Sequence, residues 1–189
     1  MSIIMGWLGS SIDMNYFRKH FDLSGNTEIM HTGIAVMAFH DAENTETKLF
    51  HYRRSIVVCD GVLHDAGNIR SGLEWKYPFH TDSSTELFLP LYEEYGTVLF
   101  SMFSGEYACI IYDGHSGKLV AARDKSGTYP LYYGFDKKGG IVFASCRKCL
   151  AEICNSVHEF PAGNYYADGV LHPIAEDSGI RHHILRRCV

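Results

Sequence analysis

Hydrophobic positions along this chain recur mainly with a period of two, which predicts β-strands. An apolar run over residues 33–39 is typical of a buried strand, and residues 49–59 alternate well enough to predict a second one. The Asp60-Gly61 dipeptide that follows is predicted to be the turn that closes this second strand. Further strands are predicted in adjacent pairs, over residues 106–112 and 118–123, 131–135 and 141–144, and 164–167 and 170–173.

Helical spacing appears in one clear segment. Over residues 84–95, Leu87, Leu91 and Tyr95 repeat at intervals of four, and Gly96 follows as a stop signal. A shorter helix is predicted over residues 147–153. Because neither an internal repeat nor a linker interrupts these elements, the sequence predicts one α+β domain dominated by antiparallel strands.

Composition excludes several classes of protein. The chain has 189 residues, of which 46% are apolar, and its formal net charge is −5, so intrinsic disorder is excluded and a sizeable core is expected. No basic face is visible, which argues against a nucleic-acid partner. No apolar run approaches the roughly 20 residues of a membrane span. The N-terminal segment has no Lys or Arg before Arg18, so we expect no secretory leader, a cytoplasmic location and reduced thiols on the six cysteines.

Several segments, in order, carry a resemblance to a known family. The most specific is ARDKSGTYPLYY at residues 122–133. It is accompanied by CDGVLH at 59–64, LPLYEEYG at 89–96, MFSGEYA at 102–108 and FPAGNY at 160–165. Together they resemble the glutamine-hydrolysing domain of asparagine synthetase-like proteins, the class II glutamine amidotransferases, over roughly residues 3–175.

The resemblance implies a fold and a partner. The implied fold is a four-layer αββα sandwich of two mainly antiparallel sheets, the N-terminal-nucleophile hydrolase type. It would span residues 1–175, leaving 176–189 as a basic tail or boundary segment. In the family this domain releases ammonia from glutamine for an ATP-dependent synthetase domain, without a cofactor or metal of its own. A synthetase domain or chain is therefore the implied partner. The sequence leaves the oligomeric state open, with a homodimer as one alternative.

The family's nucleophile is a cysteine that is also the first residue, so that its α-amine serves as the base. In the family it begins a Cys-Gly-Ile-Phe-Gly strand, which we align with residues 5–9, MGWLG. Met5 then occupies the cysteine's place, and its thioether cannot form an acyl intermediate. Excision of Met1 would give Ser2 a free amine. In this alignment, however, Ser2 lies three residues upstream, about 10 Å in an extended chain.

The substrate pocket implied by the resemblance is altered as well. The family's Asn-Gly, whose amide helps to hold the oxyanion, aligns with Asp60-Gly61. The family's Ser-Asp-Thr-Glu, whose aspartate pairs with the amine of glutamine, aligns with Ser83 followed by Ser84, Thr85 and Glu86. The arginine that grips the substrate carboxylate has no clear counterpart, because Arg53-Arg54 runs straight into the Asp60 segment.

Three functions follow from these observations. The first is a degenerate, non-catalytic glutaminase-like domain associated with an asparagine synthetase-like, amide-forming enzyme. The second is an active amidotransferase or amidohydrolase with Ser2 as its nucleophile. The third is a sensor in which the altered pocket binds a small cationic or neutral ligand.

Two further signals have alternative interpretations. Cys146, Cys149 and Cys154 form a C-x2-C-x4-C pattern with His158 nearby, which fits either a zinc site or ordinary cysteines of a short helix and its surroundings. The lack of a second close pair favours the latter. The basic residues of the C-terminal tail, over residues 181–187, are consistent with either a docking segment or a solvated terminus.

Overall fold

Two antiparallel β-sheets form the frame of the protein. The computed structural model describes residues 2–9, 15–16, 26–41, 48–64 and 66–175. The first sheet has the strand order β10-β8-β9-β1-β3-β2 and the second has the order β12-β11-β7-β6-β5-β4. In chain order the strands are β1 Ser2–Leu8, β2 Asn26–His31, β3 Ala35–Asp41, β4 Leu49–Tyr52, β5 Ser55–Leu63, β6 Gly105–Asp113, β7 Lys118–Arg123, β8 Tyr132–Asp136, β9 Ile141–Ala144, β10 Cys154–Glu159, β11 Asn164–Ala167 and β12 Val170–Pro173.

The two sheets pack face to face through the inward side chains of alternate strand positions. Ile4 on β1, Val58 on β5, Ile110 on β6 and Phe143 on β9 all belong to this inter-sheet core and are fully buried. Gly6 allows the closest approach, because a Cβ atom there would lie only 2.6 Å from Cγ2 of Ile110. The central strands therefore hold the sheets in one fixed register.

Helices cover the outer faces. The second sheet is covered by α1 (Ala66–Leu73) and α2 (Phe88–Tyr95), with 3₁₀ turns on either side of α2 at Ser84–Leu87 and Gly96–Ser101. The short α3 (Arg147–Ala151) packs on the first sheet. This arrangement confirms the predicted four-layer αββα sandwich. None of the helices in the described segments is long and apolar enough to cross a membrane.

The structure corrects two details of the predicted pattern. Residues 49–59 form two strands rather than one, because Arg53 adopts a positive φ of 54° in a tight turn between β4 and β5. Asp60-Gly61 is not a turn, since β5 continues to Leu63. Gly61 is required there for another reason: a Cβ atom would come within 2.1 Å of the Glu106 carbonyl oxygen on β6. The two strands are thus unusually close at the position that the sequence suggested as a strand end.

Two adjacent side chains of the ARDKSGTYPLYY segment, at residues 122–133, make separate sets of hydrogen bonds at the end of β7. Arg123 is buried and its guanidinium donates to the carbonyl oxygens of Tyr129 at 2.9 Å, Gly127 at 2.8 Å and Phe160 at 2.8 Å. Asp124 points elsewhere, and its carboxylate accepts from the amide of Tyr107 at 3.0 Å. The two adjacent residues therefore stabilise different surroundings rather than forming an ion pair with each other.

We expect Arg123→Met to lower the free energy of unfolding by about 2–4 kcal/mol, because three carbonyl oxygens, of which that of Phe160 is buried, would lose a charged donor. Arg123→Lys should recover less than half of that loss, since an ammonium cannot reproduce the planar fork. Urea unfolding followed by circular dichroism measures both changes. The exposed Arg147→Met variant is the matched control and should stay within about 0.5 kcal/mol of the wild type. Equal stability of the Met and Lys variants would contradict this role.

Candidate functional site

Two polar side chains extend the inner faces of the central strands towards one end of the sandwich. Ile4 on β1 faces the inter-sheet core, so Ser2 lies on the same face of that strand. Val58 on β5 also faces the core, and Asp60 follows on its side. The Ser2 hydroxyl donates a hydrogen bond to Oδ2 of Asp60. A contact between the two sheets thus replaces apolar packing at this end of the core.

Lys48, just before β4, completes this cluster. Its Nζ lies 2.5 Å from Oδ1 of Asp60, and both side chains are largely buried. Burial disfavours the ammonium, but the hydrogen bond and charge of Asp60 outweigh that penalty, with a contribution from Asp41, and the pKa of Lys48 is raised above its usual value. Lys48 is therefore a cation at neutral pH, and each oxygen of the Asp60 carboxylate has a donor. We refer to Ser2, Lys48 and Asp60 as the inter-sheet polar cluster.

Met5 lies on the opposite face of β1. Its side chain is fully buried in the outer cluster that includes Trp7, Val36 and Leu150. Successive strand residues point to opposite faces, so Met5 and Ser2 cannot approach the same side chain. The alignment puts Met5 at the nucleophile's place and Ser2 about 10 Å upstream of it; in the structure it is Ser2, and not Met5, whose side chain reaches Asp60.

The other residues of the predicted pocket are dispersed. Ser84 lies near the end of β5, where its Oγ accepts from the amide of Leu63 at 2.9 Å. Thr85 is buried and its Oγ1 lies 2.8 Å from Oγ of Ser83. Gly61 contributes close backbone packing rather than a side chain. Of the five residues predicted for the pocket, Asp60 is the one that joins Ser2 in the inter-sheet polar cluster.

Glu86 is fully buried and serves the loop before it. Its carboxylate accepts hydrogen bonds from the amides of His80 at 2.8 Å and Thr81 at 2.9 Å, and from the Thr81 hydroxyl at 2.8 Å. The guanidinium of Arg70 lies 3.9 Å away and supplies a counter-charge. A carboxylate with this many donors organises a loop, so the structure gives Glu86 a structural role rather than a place in an open pocket.

Arg53 and Arg54 do not serve the cluster. They form the turn between β4 and β5, where the Arg53 guanidinium lies 5.0 Å from the ring centroid of Tyr52. Arg54 precedes Asp60 by six positions, about 20 Å along an extended strand. The structure therefore supports leaving these arginines out of the substrate-binding role.

Lys48 is the member of the cluster that the sequence did not reveal. A carboxylate at an inward strand position must have a partner charge or donor when it is buried. That rule indicates a nearby cation or donor but does not identify the residue. Lys48 reaches Asp60 because β4 pairs with β5, and this pairing depends on the turn that divides the predicted long strand.

No metal centre is formed by the cysteines within the described part of the chain. Among those residues no group of three or more His, Cys, Asp and Glu side chains is placed to hold a metal ion. Cys146, Cys149 and Cys154 are free thiols. The zinc interpretation of this pattern thus finds no support in the geometry. The basic tail at 176–189 lies outside the described residues.

Comparisons with known proteins agree with the fold and the motifs. A family model described as a glutamine amidotransferase domain matches residues 19–175. The chain is 29% identical over 143 residues to asparagine synthetase B (glutamine-hydrolyzing) of Escherichia coli, covering 75% of this chain and 25% of that protein. It is 35% identical over 113 residues to a probable asparagine synthetase of Schizosaccharomyces pombe, covering 59% of this chain and 20% of that protein. The chain thus spans about a quarter or less of these relatives.

Solved structures support the same fold. Glutamine phosphoribosylpyrophosphate amidotransferase of Bacillus subtilis matches with a TM-score of 0.67 at 17% identity, over 93% of this chain and 49% of that one. A glutamine aminotransferase class-II domain protein of Silicibacter pomeroyi matches with a TM-score of 0.56 at 14% identity, over 92% of this chain and 98% of that one. At such identities the likeness establishes the fold alone. With the family match over most of its length, the chain belongs to the glutamine amidotransferase domain family, as the domain found in asparagine synthetase-like proteins.

Proposed function

We propose that this domain no longer hydrolyses glutamine and acts as the non-catalytic partner of an asparagine synthetase-like, ATP-dependent, amide-forming domain or chain. Such an enzyme would take its nitrogen from free ammonia or another amine. The observation that carries the proposal is the Asp60 carboxylate, which is buried and ion-paired at the position where the family presents an amide donor.

Amide hydrolysis by a nucleophile requires hydrogen-bond donors aimed at the oxygen that becomes negative. A carboxylate offers no donor, and the oxygens of Asp60 are already engaged by Ser2 and Lys48. A negative charge 4 Å from a developing oxyanion costs about 4 kcal/mol at an effective dielectric constant near 20. That cost corresponds to about a thousandfold in rate. The neighbouring Lys48 ammonium offsets part of the charge but is itself committed to the carboxylate.

The groups that would recognise glutamine support the same conclusion. Ser84 stands where the family has an aspartate for the substrate amine, and it carries no charge. Its hydroxyl also accepts the Leu63 amide, which ties the 3₁₀ turn to the end of β5. The family's carboxylate-binding arginine has no counterpart near Asp60 among the described residues. Without these partners, the α-amine and the α-carboxylate of glutamine would both be bound weakly, and this adds to the loss of oxyanion stabilisation.

A synthetase partner is supported by the relatives themselves. The asparagine synthetases that this chain resembles are about four times as long as the matched segment, so the segment accounts for only one part of each protein. We infer that the retained sandwich supports or docks a synthetase domain. This role needs the fold and its stability but not the hydrolytic reaction.

The position of Ser2 gives a second candidate function specific support. Its hydroxyl lies at the inter-sheet polar cluster, and a free α-amine on Ser2 after removal of Met1 could serve as a general base. The domain would then be a serine-dependent amidotransferase or amidohydrolase that supplies ammonia. The charge at Asp60 weighs against this alternative when the substrate passes through an anionic intermediate.

We expect the purified chain to release no glutamate from L-glutamine above the enzyme-free blank. The physical reason is the missing oxyanion donor at Asp60. A coupled glutamate dehydrogenase assay measures release, with N-terminal mass determination to establish whether Ser2 is the first residue. Release that disappears in Ser2→Ala but persists in Ser71→Ala, a matched change at an exposed helix serine, would establish the serine-dependent alternative.

The inter-sheet polar cluster gives a separate prediction about stability. Lys48→Met and Asp60→Asn should each lower the free energy of unfolding by about 1–3 kcal/mol, because each leaves a buried partner without its charge. The double variant should lose less than the sum of the two losses, since the remaining charge is also gone. Urea unfolding of the four proteins measures this coupling. Additive losses would mean that the two charges do not interact in solution.

The same pair has a defined pH dependence. A raised pKa means that the Lys48 contribution is fully present below about pH 10, the range of an ordinary lysine. It is lost as the pH rises through the higher value of the folded state. As the pH rises from neutral, the wild type should therefore keep its stability advantage over Lys48→Met until the pH becomes alkaline. Urea midpoints measured at each pH test this, and a loss of the advantage between pH 6 and 8 would contradict the assignment.

A further inference from the structure

Two cysteines of the short α3 segment have a chemistry that the amidotransferase fold does not use. Cys146 is the N-cap residue of α3 and Cys149 lies one turn further on, with its amide donating to the Cys146 carbonyl at 3.2 Å. Residues three apart on a helical turn are neighbours on one face of that turn. Because the two cysteines are neighbours within one turn, a disulfide between them needs a local adjustment of their side chains and no displacement of a strand.

The two thiols differ in accessibility. Cys146 is partly exposed, whereas Cys149 is 4% exposed. The two residues between them, Arg147 and Lys148, are both exposed. Burial first, and then the proximity of Cys146, raise the pKa of Cys149 to about 12, so the inner thiol is protonated at neutral pH. The pair therefore has one accessible thiol and one protected thiol.

The other described cysteines are placed differently. Cys59 and Cys109 face each other across β5 and β6 but are fully buried, and burial raises the pKa of each thiol. Cys154 packs against Gly134, where a Cβ atom would lie 2.9 Å from its Sγ. Neither arrangement combines an accessible cysteine with a second cysteine one helical turn away. Among the described cysteines, that combination belongs to Cys146 and Cys149.

We propose that Cys146 and Cys149 form a thiol–disulfide exchange site that reacts with low-molecular-weight disulfides of the glutathione type. The Cys146 thiolate attacks one sulfur of the disulfide, forms a mixed disulfide and expels one glutathione thiolate. Cys149, deprotonated in turn, attacks the Cys146 sulfur and expels the second. Two protein thiols are oxidised to one disulfide, one external disulfide is reduced to two thiols, and the two cysteine protons end on the released thiols.

The site also has a structural consequence. α3 packs through Leu150 on the outer cluster that contains Met5 and Trp7 of β1. β1 is the strand that carries Ser2 into the inter-sheet polar cluster. A disulfide at the start of α3 would therefore stiffen the layer behind this strand. The proposal does not depend on whether the domain hydrolyses glutamine, because no residue of the polar cluster takes part in the exchange.

The test uses the full chain incubated with oxidised glutathione, followed by alkylation and intact and peptide mass measurement. We expect the wild type to lose two hydrogen atoms, with the bond between Cys146 and Cys149. Cys149→Ser should instead accumulate one glutathione adduct at Cys146. Cys146→Ser should lower the rate of native alkylation or adduct formation at this site by about tenfold or more, since the inner thiol is protonated and buried.

Cys154→Ser is the matched control and should form the same disulfide as the wild type. A disulfide that includes Cys154 would overturn the proposal. Reduced thioredoxin serves as the positive control for oxidation by glutathione disulfide. If thioredoxin is oxidised while the wild-type chain keeps all its thiols under the same conditions, the proposal is also overturned. Circular dichroism of each variant establishes that a negative result reflects chemistry rather than loss of fold.

Discussion

The alternation of side chains along β1 and β5 is the constraint on which the candidate site depends. Both strands lie in the interior of their sheets, and each places alternate residues in the inter-sheet core. When the apolar residues of that face end, Ser2 and Asp60 occupy the next inward positions and meet between the sheets. A slip of one residue in either strand would exchange the two faces and separate the pair. The site is thus a consequence of the packing that holds the sandwich together.

The same constraint explains why a carboxylate can be tolerated at this place. A buried charge without a partner would be costly, but Lys48 approaches from the start of β4 and pairs with Asp60. The tight turn between β4 and β5 brings that lysine alongside the carboxylate. The charges are therefore compatible with a stable fold, whereas the same arrangement opposes the anionic intermediate of amide hydrolysis. Stability and the family's chemistry make conflicting demands on Asp60.

Much of the fold could be predicted from the sequence, because most strands show the period of two and the hairpin turns are marked by glycine. The strands over Lys118–Arg123, Asn164–Ala167 and Val170–Pro173 have the predicted bounds. Asp60-Gly61 misled the prediction because glycine marks both turns and close approaches of two backbones. β2, β10 and α1 were not predicted from the pattern of apolar residues.

The site was less predictable than the fold. The importance of Asp60 was accessible from its motif, but its partner Lys48 comes from tertiary contact and carries no local signal. The choice between Met5 and Ser2 depended on which face of β1 meets the second sheet. Matching a short motif by its glycines cannot decide that, because a shift of three residues exchanges the faces of a strand. To decide between Met5 and Ser2, one must know which residues of β1 face the neighbouring sheet, and that follows from the alternation of its buried residues once the packing of the sheets is known.

Covalent labelling can establish whether the inter-sheet polar cluster acts on glutamine. A diazoketone analogue of L-glutamine alkylates a nucleophile that binds and attacks the substrate. We predict that mass measurement after incubation finds no adduct on Ser2, while the glutamine-hydrolyzing relative from Escherichia coli is labelled under the same conditions. A stoichiometric adduct on Ser2, prevented by excess glutamine, would contradict the account and identify this domain as a serine-dependent amidotransferase.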